Sequence, residues 1–299
     1  MSTDTTSGHG HGHGHGHGHD TELDWEAMAD NLETNGELHL PALRSTASRL
    51  AELLTDPTRI FDIGSGPGVM TCVFAEIFPT AEVVAVDPTP GLLDRVVARA
   101  DRLGVGKRVT TVQAELPGLP GSLGTADLVW SSRAVHHLGD QQAALHELAG
   151  VLRPSGVLAV SEAGLPMRYL PRDIGIGRPG LQARLDAVQE SWFEAMRAEL
   201  PGATSVIEDW PAMLTRAGLT DVRSFATLLD LPAPLTETAR GYLREHLTRL
   251  RDTMTEALDE DDHQTLGVLV DPDAAEGILR RPDAFLLSAD SIFTGRAAG

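Results

Sequence analysis

Two histidines and a glutamate stand where predicted strands end, and they have the residue types of a general-base pair. His136 and His137 follow the predicted strand Ala126–Ser131, and Glu162 ends the predicted strand Val157–Glu162. Open α/β sheets bind ligands at the carboxyl ends of their parallel strands, so we expect these side chains near a ligand. A histidine beside a carboxylate can remove a proton from a hydroxyl group. The alternative is structural: one histidine packs or hydrogen-bonds, and Glu162 caps a helix or pairs with an arginine.

A glycine-rich segment, Phe61–Gly68, lies between a predicted strand and a predicted helix. Glycines at the alternate positions Gly64, Gly66 and Gly68 allow the backbone to approach a ligand closely. The helix that follows offers free N–H groups to an anion. Asp87 ends the next predicted strand, where a carboxylate can accept the hydroxyl groups of a ribose. A tight turn without a ligand is the structural alternative.

The glycine spacing separates two classes of ligand that contain a nucleoside. A dinucleotide site has the pattern Gly-x-Gly-x-x-Gly, whose third glycine would fall at Val69. The sequence instead has Gly-x-Gly-x-Gly preceded by Asp62, and this form resembles motif I of the class I S-adenosylmethionine-dependent methyltransferases. Later motifs resemble the same family, and they are Val86–Pro88, Ala114–Glu115, Ala126–Ser131 and Leu152–Leu158.

The resemblance implies S-adenosyl-L-methionine as the cofactor and a set of residues around it. Relatives carry aspartate at the station of Glu115 and glycine at that of Ser155, so both are mild departures. The implied cofactor-binding residues are Asp62, Gly64, Ser65, Gly66, Gly68, Asp87, Pro88, Ala114, Glu115 and Ser131. Sugar and alcohol O-methyltransferases of the family place two histidines and an acid at similar stations. The catalytic candidates are therefore His136, His137 and Glu162, with His136 preferred as the base, and no metal site is expected.

Strands and helices alternate between residues 59 and 163, which predicts a parallel, doubly wound sheet. The five predicted strands are Arg59–Ile63, Glu82–Asp87, Val109–Gln113, Ala126–Ser131 and Val157–Glu162. Two further strands, Asp221–Leu231 and Phe285–Gly295, would form an antiparallel edge. The predicted fold class is α/β, a Rossmann-like doubly wound seven-stranded sheet. The resemblance implies the strand order 3-2-1-4-5-7-6, with strand 7 antiparallel.

The segments around this core predict a tail, N-terminal helices and two insertions. Residues 1–20 form a His/Gly tail that cannot bury a core, with weak nickel or zinc binding as its functional alternative. Residues 21–58 contain the predicted helices Trp25–Leu32 and Pro41–Leu54. Residues 164–204 and 235–283 are predicted to be helical insertions that form a lid and the acceptor pocket, whereas 205–234 and 284–299 complete the sheet. Candidate pocket residues are Met167, Tyr169, Leu170, Trp192, Phe193, Met196 and Trp210.

Charge and composition exclude several classes of partner. The 299-residue chain has a formal net charge of −19, which repels a phosphate backbone. Cys72 is the single cysteine, so an internal disulfide and a cysteine-based zinc site are excluded. No apolar run approaches the ~18 residues of a membrane span, and the N-terminus lacks the apolar core of a signal peptide. We expect a cytoplasmic protein without nucleic-acid or membrane partners, and its oligomeric state stays open.

The acceptor is expected to be a small molecule. Methyltransferases that act on the exocyclic amines of nucleic-acid bases carry Asn/Asp-Pro-Pro-Tyr at the fourth strand. This chain has Ser131–Ala134 at that position. Pyrimidine C5 enzymes need a cysteine nucleophile, and Cys72 lies in the wrong place, just after the glycine loop. We favour O-methylation over N- or C-methylation, with natural-product metabolism among the settings. The alternatives are a peptide or protein acceptor, a non-catalytic cofactor-binding module and a nicotinamide oxidoreductase.

Overall fold

The structure, a computed structural model, describes residues 25–299. The predicted His/Gly tail lies outside the described residues. Seven strands form one sheet in the order β3-β2-β1-β4-β5-β7-β6. The strands are β1 Arg59–Ile63, β2 Glu82–Asp87, β3 Val109–Gln113, β4 Ala126–Ser132, β5 Leu152–Arg168, β6 Thr220–Leu231 and β7 Leu286–Arg296. Strand β7 runs antiparallel to β5 and β6, and the other pairs are parallel, so the predicted fold class and strand order are confirmed.

The central strands form where the sequence has short apolar runs. Strands β1 and β2 are buried over almost their whole length, as expected for parallel strands covered by helices on both faces. The α-helices of residues 25–299 are α1 Ala29–Leu38, α2 Leu40–Ala51, α3 Val69–Ile77, α4 Pro90–Arg102, α5 Gln141–Gly150, α6 Leu181–Glu199, α7 Trp210–Arg216, α8 Glu237–Thr253 and α9 Glu260–Val270. Among residues 25–299, no helix combines the length and apolar character that crossing a membrane requires.

Strand β5 is longer than the sequence predicts. It continues past Glu162 to Arg168, so residues 164–168 belong to the sheet and not to the predicted insertion. Its extension pairs with β7 through Gly164 opposite Asp290 and Leu165 opposite Ala289. A Cβ atom on Gly164 would lie 2.1 Å from the carbonyl oxygen of Ala289, and its φ is +131°. Glycine is therefore required here by close strand contact, whereas local sequence suggests only a loop.

The helices outside the core differ from prediction at their ends. Helix α1 starts at Ala29 rather than Trp25 and continues to Leu38, because its second half packs against α3. The predicted long helix 235–258 stops at Thr253, and a separate helix, α9, follows. Asp259 caps α9 by accepting the backbone N–H of Asp262. Acidic residues are favourable at this position because they face the positive end of the helix dipole.

The two insertions share a hydrophobic core of their own. Tyr169 and Leu170 pack there with residues of α6, α8 and α9 and with the ends of β6 and β7. Trp210, in contrast, belongs to the core under the sheet, where its ring stacks on Phe293. Burying these large side chains stabilises each layer by about 1.5–3 kcal/mol per residue.

Helix α1 binds the surface of α4 through a row of ion pairs. Glu33 contacts Arg95, Arg99 and Arg102, while Glu37 adds a 2.7 Å contact to Arg99. Only 4% of the Arg99 side chain is exposed, so this part of the row is shielded from solvent. The row fixes α1 across α4, next to the start of α3.

Two helical glycines should respond in opposite ways to the same substitution. A Cβ atom on Gly36 in α1 would lie 2.6 Å from Cγ2 of Val69, whereas nothing lies within 4 Å of one on Gly241 in α8. We expect Gly36→Ala to lower the free energy of unfolding by about 1–3 kcal/mol through overpacking. Gly241→Ala should raise it by roughly 0.5–1 kcal/mol through helix propensity. Urea unfolding measures both, and equal stabilisation would contradict the close contact.

Candidate functional site

The glycine loop between β1 and α3 has an open backbone that faces a cavity. Gly64, Gly66 and Gly68 have φ values of +72°, +53° and +77°, which is the left-handed region that favours glycine. The N–H groups of Gly64 and Ser65 both donate to the carbonyl of Val86, at 2.8 and 3.1 Å. A Cβ atom on Gly66 would meet nothing within 4 Å, so the space beside it is free for a ligand.

Asp87, at the end of β2, organises the loops on both sides of it. One carboxylate oxygen accepts the N–H of Gly66 at 2.9 Å, and the other accepts the N–H of Thr89 at 2.9 Å. The residue is buried and also lines the cavity. Each carboxylate oxygen has a further lone pair, so Asp87 can hold the glycine loop and still accept a ligand hydroxyl.

Asp62 is a carboxyl group buried inside β1. It is 2% exposed, and its Oδ2 accepts the hydroxyl of Thr71 at 2.5 Å. Burial, reinforced by the nearby charge of Asp87, raises the pKa of Asp62 to about 7. The group is therefore partly protonated near neutral pH, and a cation placed in the cavity beside it would favour its charged form.

A cavity of about 540 Å³ connects these residues, within the usual size range of small-molecule sites. Eight of the ten residues predicted to bind the cofactor line it, and they are Asp62, Gly64, Ser65, Gly66, Asp87, Pro88, Ala114 and Glu115. Gly68 and Ser131, which were also predicted to bind the cofactor, do not line the cavity. A Cβ atom on Gly68 would lie 2.7 Å from Val96, so this glycine allows α3 and α4 to approach each other. Ser131 is fully buried inside β4, and its neighbours Trp130 and Ser132 line the cavity instead.

The outer wall of the cavity comes from the N-terminal region, not from the insertions. Its residues are Trp25, Leu32, Asn35, Gly36 and Leu43, and Asn35 brings a buried Oδ1 without a hydrogen-bond partner among the described residues. None of the seven pocket residues predicted from the insertions lines this cavity. Five of them pack in hydrophobic clusters elsewhere, and they are Met167, Tyr169, Leu170, Trp192 and Trp210. The amphipathic pattern of 25–54 was the available signal for the true wall, but it does not say which surface the helices cover.

His136 and Glu162 form the pair that the sequence predicts. His136 Nδ1 lies 2.6 Å from Glu162 Oε2, and the histidine lines the cavity. The Glu162 side chain is 1% exposed. Its other oxygen accepts the N–H groups of Val135 and Ala134, at 2.9 and 3.2 Å. Glu162 therefore lies behind the histidine and orients it, leaving His136 Nε2 as the atom that can take a proton from a ligand.

His137 lines the same cavity but has no carboxylate partner among the described residues. Its ring lies 4.2 Å from that of His136 and 5.5 Å from that of Trp25, measured between centroids. Burial, together with the neighbouring charges of His136 and Arg197, lowers the pKa of His137 to about 4. The ring is therefore neutral at physiological pH, and its contacts are those of a packing residue.

The loop that carries both histidines is fixed from the insertion side by α6. Arg197 Nη1 donates to the carbonyl oxygens of His136 and Leu138, at 2.7 and 2.6 Å. The ring of Phe193 meets that of His136 edge-on, with centroids 5.6 Å apart. Sequence reasoning placed Phe193 in a pocket and missed Arg197, because neither the arginine nor its target carbonyls form a motif.

Arg133 is a second residue that the sequence analysis missed. It follows β4, lines the cavity and has a φ of +52°, which is unusual for a residue other than glycine. Its Nη2 donates to Asp290 Oδ1 at 2.6 Å. The cavity thus contains a cation beside the two histidines.

One group of three acids within residues 25–299 has the spacing of a metal site. It consists of Asp259, Asp261 and Asp262 at the start of α9. Arg178 forms ion pairs with all three, and Arg184 forms another with Asp262. Guanidinium groups therefore neutralise these carboxylates.

Comparison with known families agrees with the loop and the sheet. Residues 60–156 match the family model described as a methyltransferase domain. This segment is therefore a methyltransferase domain of the class I S-adenosylmethionine-dependent type. The match implies S-adenosyl-L-methionine as the cofactor of the domain.

Curated relatives match this chain over only part of their length. A malonyl-[acyl-carrier protein] O-methyltransferase of Dechloromonas aromatica (strain RCB) is 38% identical over 123 residues, or 40% of this chain and 43% of the relative. A trans-aconitate 2-methyltransferase of Methylobacterium radiotolerans is 31% identical over 161 residues, or 49% and 58%. The chain therefore matches less than two thirds of either relative. A crystal structure from Nostoc punctiforme PCC 73102, described as a candidate O-methyltransferase, has 20% identity and a TM-score of 0.50 over 67% of this chain and 56% of that one, which shows a shared fold.

Gly66→Ala tests the free space in the glycine loop, and Gly104→Ala is its matched control. Both glycines have positive φ, +53° and +73°, and neither has an atom within 4 Å of an added Cβ. Both variants should therefore lose a similar ~1–2 kcal/mol of stability. Of these two glycines, only Gly66 lines the cavity. We expect calorimetry to show at least roughly tenfold weaker binding of S-adenosylhomocysteine to the Gly66 variant alone. Equal affinities would contradict this placement of the cofactor.

Asp62→Asn tests the buried carboxyl group through the pH dependence of stability without cofactor. The raised pKa means that the folded state holds a proton that the unfolded state releases between pH 3.8 and about 7. Parent stability should therefore fall as pH rises through this window, by up to about 1.4 kcal/mol per unit. The variant cannot ionise here, so its advantage over the parent should grow from pH 5 to pH 8 in urea unfolding. Asp56→Asn, at an exposed turn, controls for the lost charge, and the same trend there would refute the interpretation.

Proposed function

We propose that this chain is an S-adenosylmethionine-dependent O-methyltransferase of a small molecule, with His136 as its general base. The observation that carries the proposal is the 2.6 Å contact between His136 Nδ1 and buried Glu162 at the wall of the cavity. A carboxylate on Nδ1 fixes the histidine tautomer, so Nε2 is the basic nitrogen. An alcohol needs such a base, because its proton is held too tightly to leave unaided at neutral pH.

The residues present fit the cofactor. Gly66 leaves open space at the loop, Asp87 retains lone pairs for ribose hydroxyls, and Glu115 lies at the same cavity. Asp62 offers a carboxylate that a cation would favour. When bound, S-adenosylmethionine supplies an electrophilic methyl group on a sulfonium with a good leaving group.

The protein's contribution is position and proton transfer. Walls from the N-terminal helices and the loop after β4 enclose the acceptor and exclude water. Alignment of acceptor and methyl group supplies several kcal/mol of barrier reduction, within a ceiling of roughly 7–11 kcal/mol. His136 Nε2 receives the proton of the acceptor hydroxyl as its oxygen gains the methyl group. Glu162 stabilises the imidazolium that forms.

The curated relatives support the reaction class by their names. One is a malonyl-[acyl-carrier protein] O-methyltransferase, and the other is a trans-aconitate 2-methyltransferase. The nicotinamide alternative is set aside because the family match and the Gly-x-Gly-x-Gly spacing favour S-adenosylmethionine. A peptide acceptor and a non-catalytic binding module are the alternatives that turnover assays separate.

His136→Ala tests the base, with His146→Ala on the exposed face of α5 as the matched control. Turnover is followed as S-adenosylhomocysteine release over a panel of alcohols, phenols, carboxylic acids and amines. We expect His136→Ala to lower kcat by ~10²–10⁴. Cofactor affinity should barely change, since the glycine loop and Asp87 belong to β1 and β2, whereas His136 follows β4. His137→Ala should have the smaller effect of a packing residue.

Near-parental kcat in His136→Ala would discard the base and leave positioning as the source of catalysis. The acceptor would then be a phenol, carboxylate, amine or activated carbon. Tight cofactor binding without turnover on any acceptor would instead favour the binding module.

A further inference from the structure

A single arginine stands among the residues that enclose the cavity. Within residues 25–299, the charged lining residues are otherwise acidic, with Asp62, Asp87 and Glu115 around the glycine loop. Arg133 lies on the opposite side, on the loop that also carries His136. The chain as a whole has a net charge of −19. Arg133 is therefore the one guanidinium group that an anionic acceptor would meet among these lining residues.

The backbone at Arg133 is held in a conformation that arginine rarely adopts. Its φ is +52°, and its N–H donates to the carbonyl of Ser161 at 3.0 Å. Left-handed backbone at a residue other than glycine costs about 1–2 kcal/mol and is found at ligand-binding sites more often than elsewhere. The neighbouring strand thus fixes the direction from which this side chain enters the cavity.

The guanidinium group is anchored on one side only. Among the described residues its hydrogen-bond partner is Asp290 on β7, which accepts from Nη2 at 2.6 Å. A guanidinium has five N–H donors, so most remain for another acceptor. The side chain is 53% exposed, although it lies within a recess of the protein. Asp290 therefore orients the arginine through one hydrogen bond and leaves its other donors available.

We propose that Arg133 binds a carboxylate of the methyl acceptor, so that the acceptor of this enzyme is a small carboxylate-bearing molecule. This inference rests on the proposed function. The planar fork of arginine matches a carboxylate, which takes two parallel hydrogen bonds from it. Arg133 and Asp290 lie on the β4–β5–β7 side of the cavity, with His136, whereas the glycine loop and Asp87 lie on the β1–β2 side. The carboxylate is thus held beside the base.

The cofactor also carries a carboxylate, so the experiment has two arms. In the first, calorimetry measures S-adenosylhomocysteine binding to the parent and to Arg133→Gln. In the second, the proteins loaded with S-adenosylhomocysteine are titrated with benzoate, phenylacetate and succinate, each paired with its amide. Arg168→Gln, which removes an exposed arginine paired with Asp186 outside the cavity, is the control.

In the first arm we expect the dissociation constant of S-adenosylhomocysteine to differ by less than about twofold between the parent and Arg133→Gln. In the second arm the parent should prefer at least one carboxylate over its amide by roughly tenfold. Arg133→Gln should lose this carboxylate binding by about 10- to 150-fold, Arg133→Lys by less, and Arg168→Gln not at all. Arg133→Gln/Asp290→Asn removes both charges, and the same loss there shows that an unpaired Asp290 is not the cause.

Two results would overturn the inference. If S-adenosylhomocysteine binding weakens tenfold in Arg133→Gln, the arginine holds the cofactor's carboxylate. If the parent binds every carboxylate and its amide equally, Arg133 is only the partner of Asp290. A parent that binds no S-adenosylhomocysteine would instead refute the proposed function, so the two failures are distinguishable.

Discussion

The buried carboxylate of Glu162 is the interaction on which the geometry of the site depends. It accepts hydrogen bonds from two backbone N–H groups and from His136, although it is almost fully buried. A buried carboxylate without such partners would be strongly destabilising. The loop after β4 must therefore fold against β5 at Glu162 to supply these hydrogen bonds. Arg197 binds the carbonyls of the same loop from the opposite side. The position of the histidine is thus fixed from two directions.

The same arrangement recurs on the cofactor side of the sheet. Asp87 accepts N–H groups from Gly66 and Thr89 and thereby joins the turns that follow β1 and β2. Asp87 ends β2, whereas Glu162 lies within β5 just beyond its pairing with β4, and each holds the loop of a neighbouring strand. A residue that looks like a ligand contact in sequence is therefore also a structural tie, and substitutions at Asp87 or Glu162 combine both effects. This is why Gly66 and His136 give clearer tests of binding and chemistry.

The N-terminal helices supply the outer cavity wall that the sequence analysis expected from the insertions. Helix α1 forms part of the cavity wall and is fixed to α4 by ion pairs centred on Glu33. The insertions pack mainly on each other, and Arg197 of α6 supports the loop that carries His136. The ion pairs with α4 hold this wall in place, and the small size of Gly36 allows α1 to lie against Val69 at the start of α3.

The sequence by itself determines the parallel core and the residue types at its edge. Strands β1, β2 and β3 match their predicted bounds. For β1 and β2 the signal is a short apolar run, as expected for strands buried on both faces. The meeting of His136 with Glu162 was also predictable, because parallel strands bring their carboxyl ends to one edge. Tertiary structure alone decides the length of β5, which depends on pairing with β7 more than a hundred residues away. It also decides the cavity wall and the Arg133–Asp290 pair. An amphipathic pattern or a lone arginine shows that a partner is needed, but the partner is set by long-range packing.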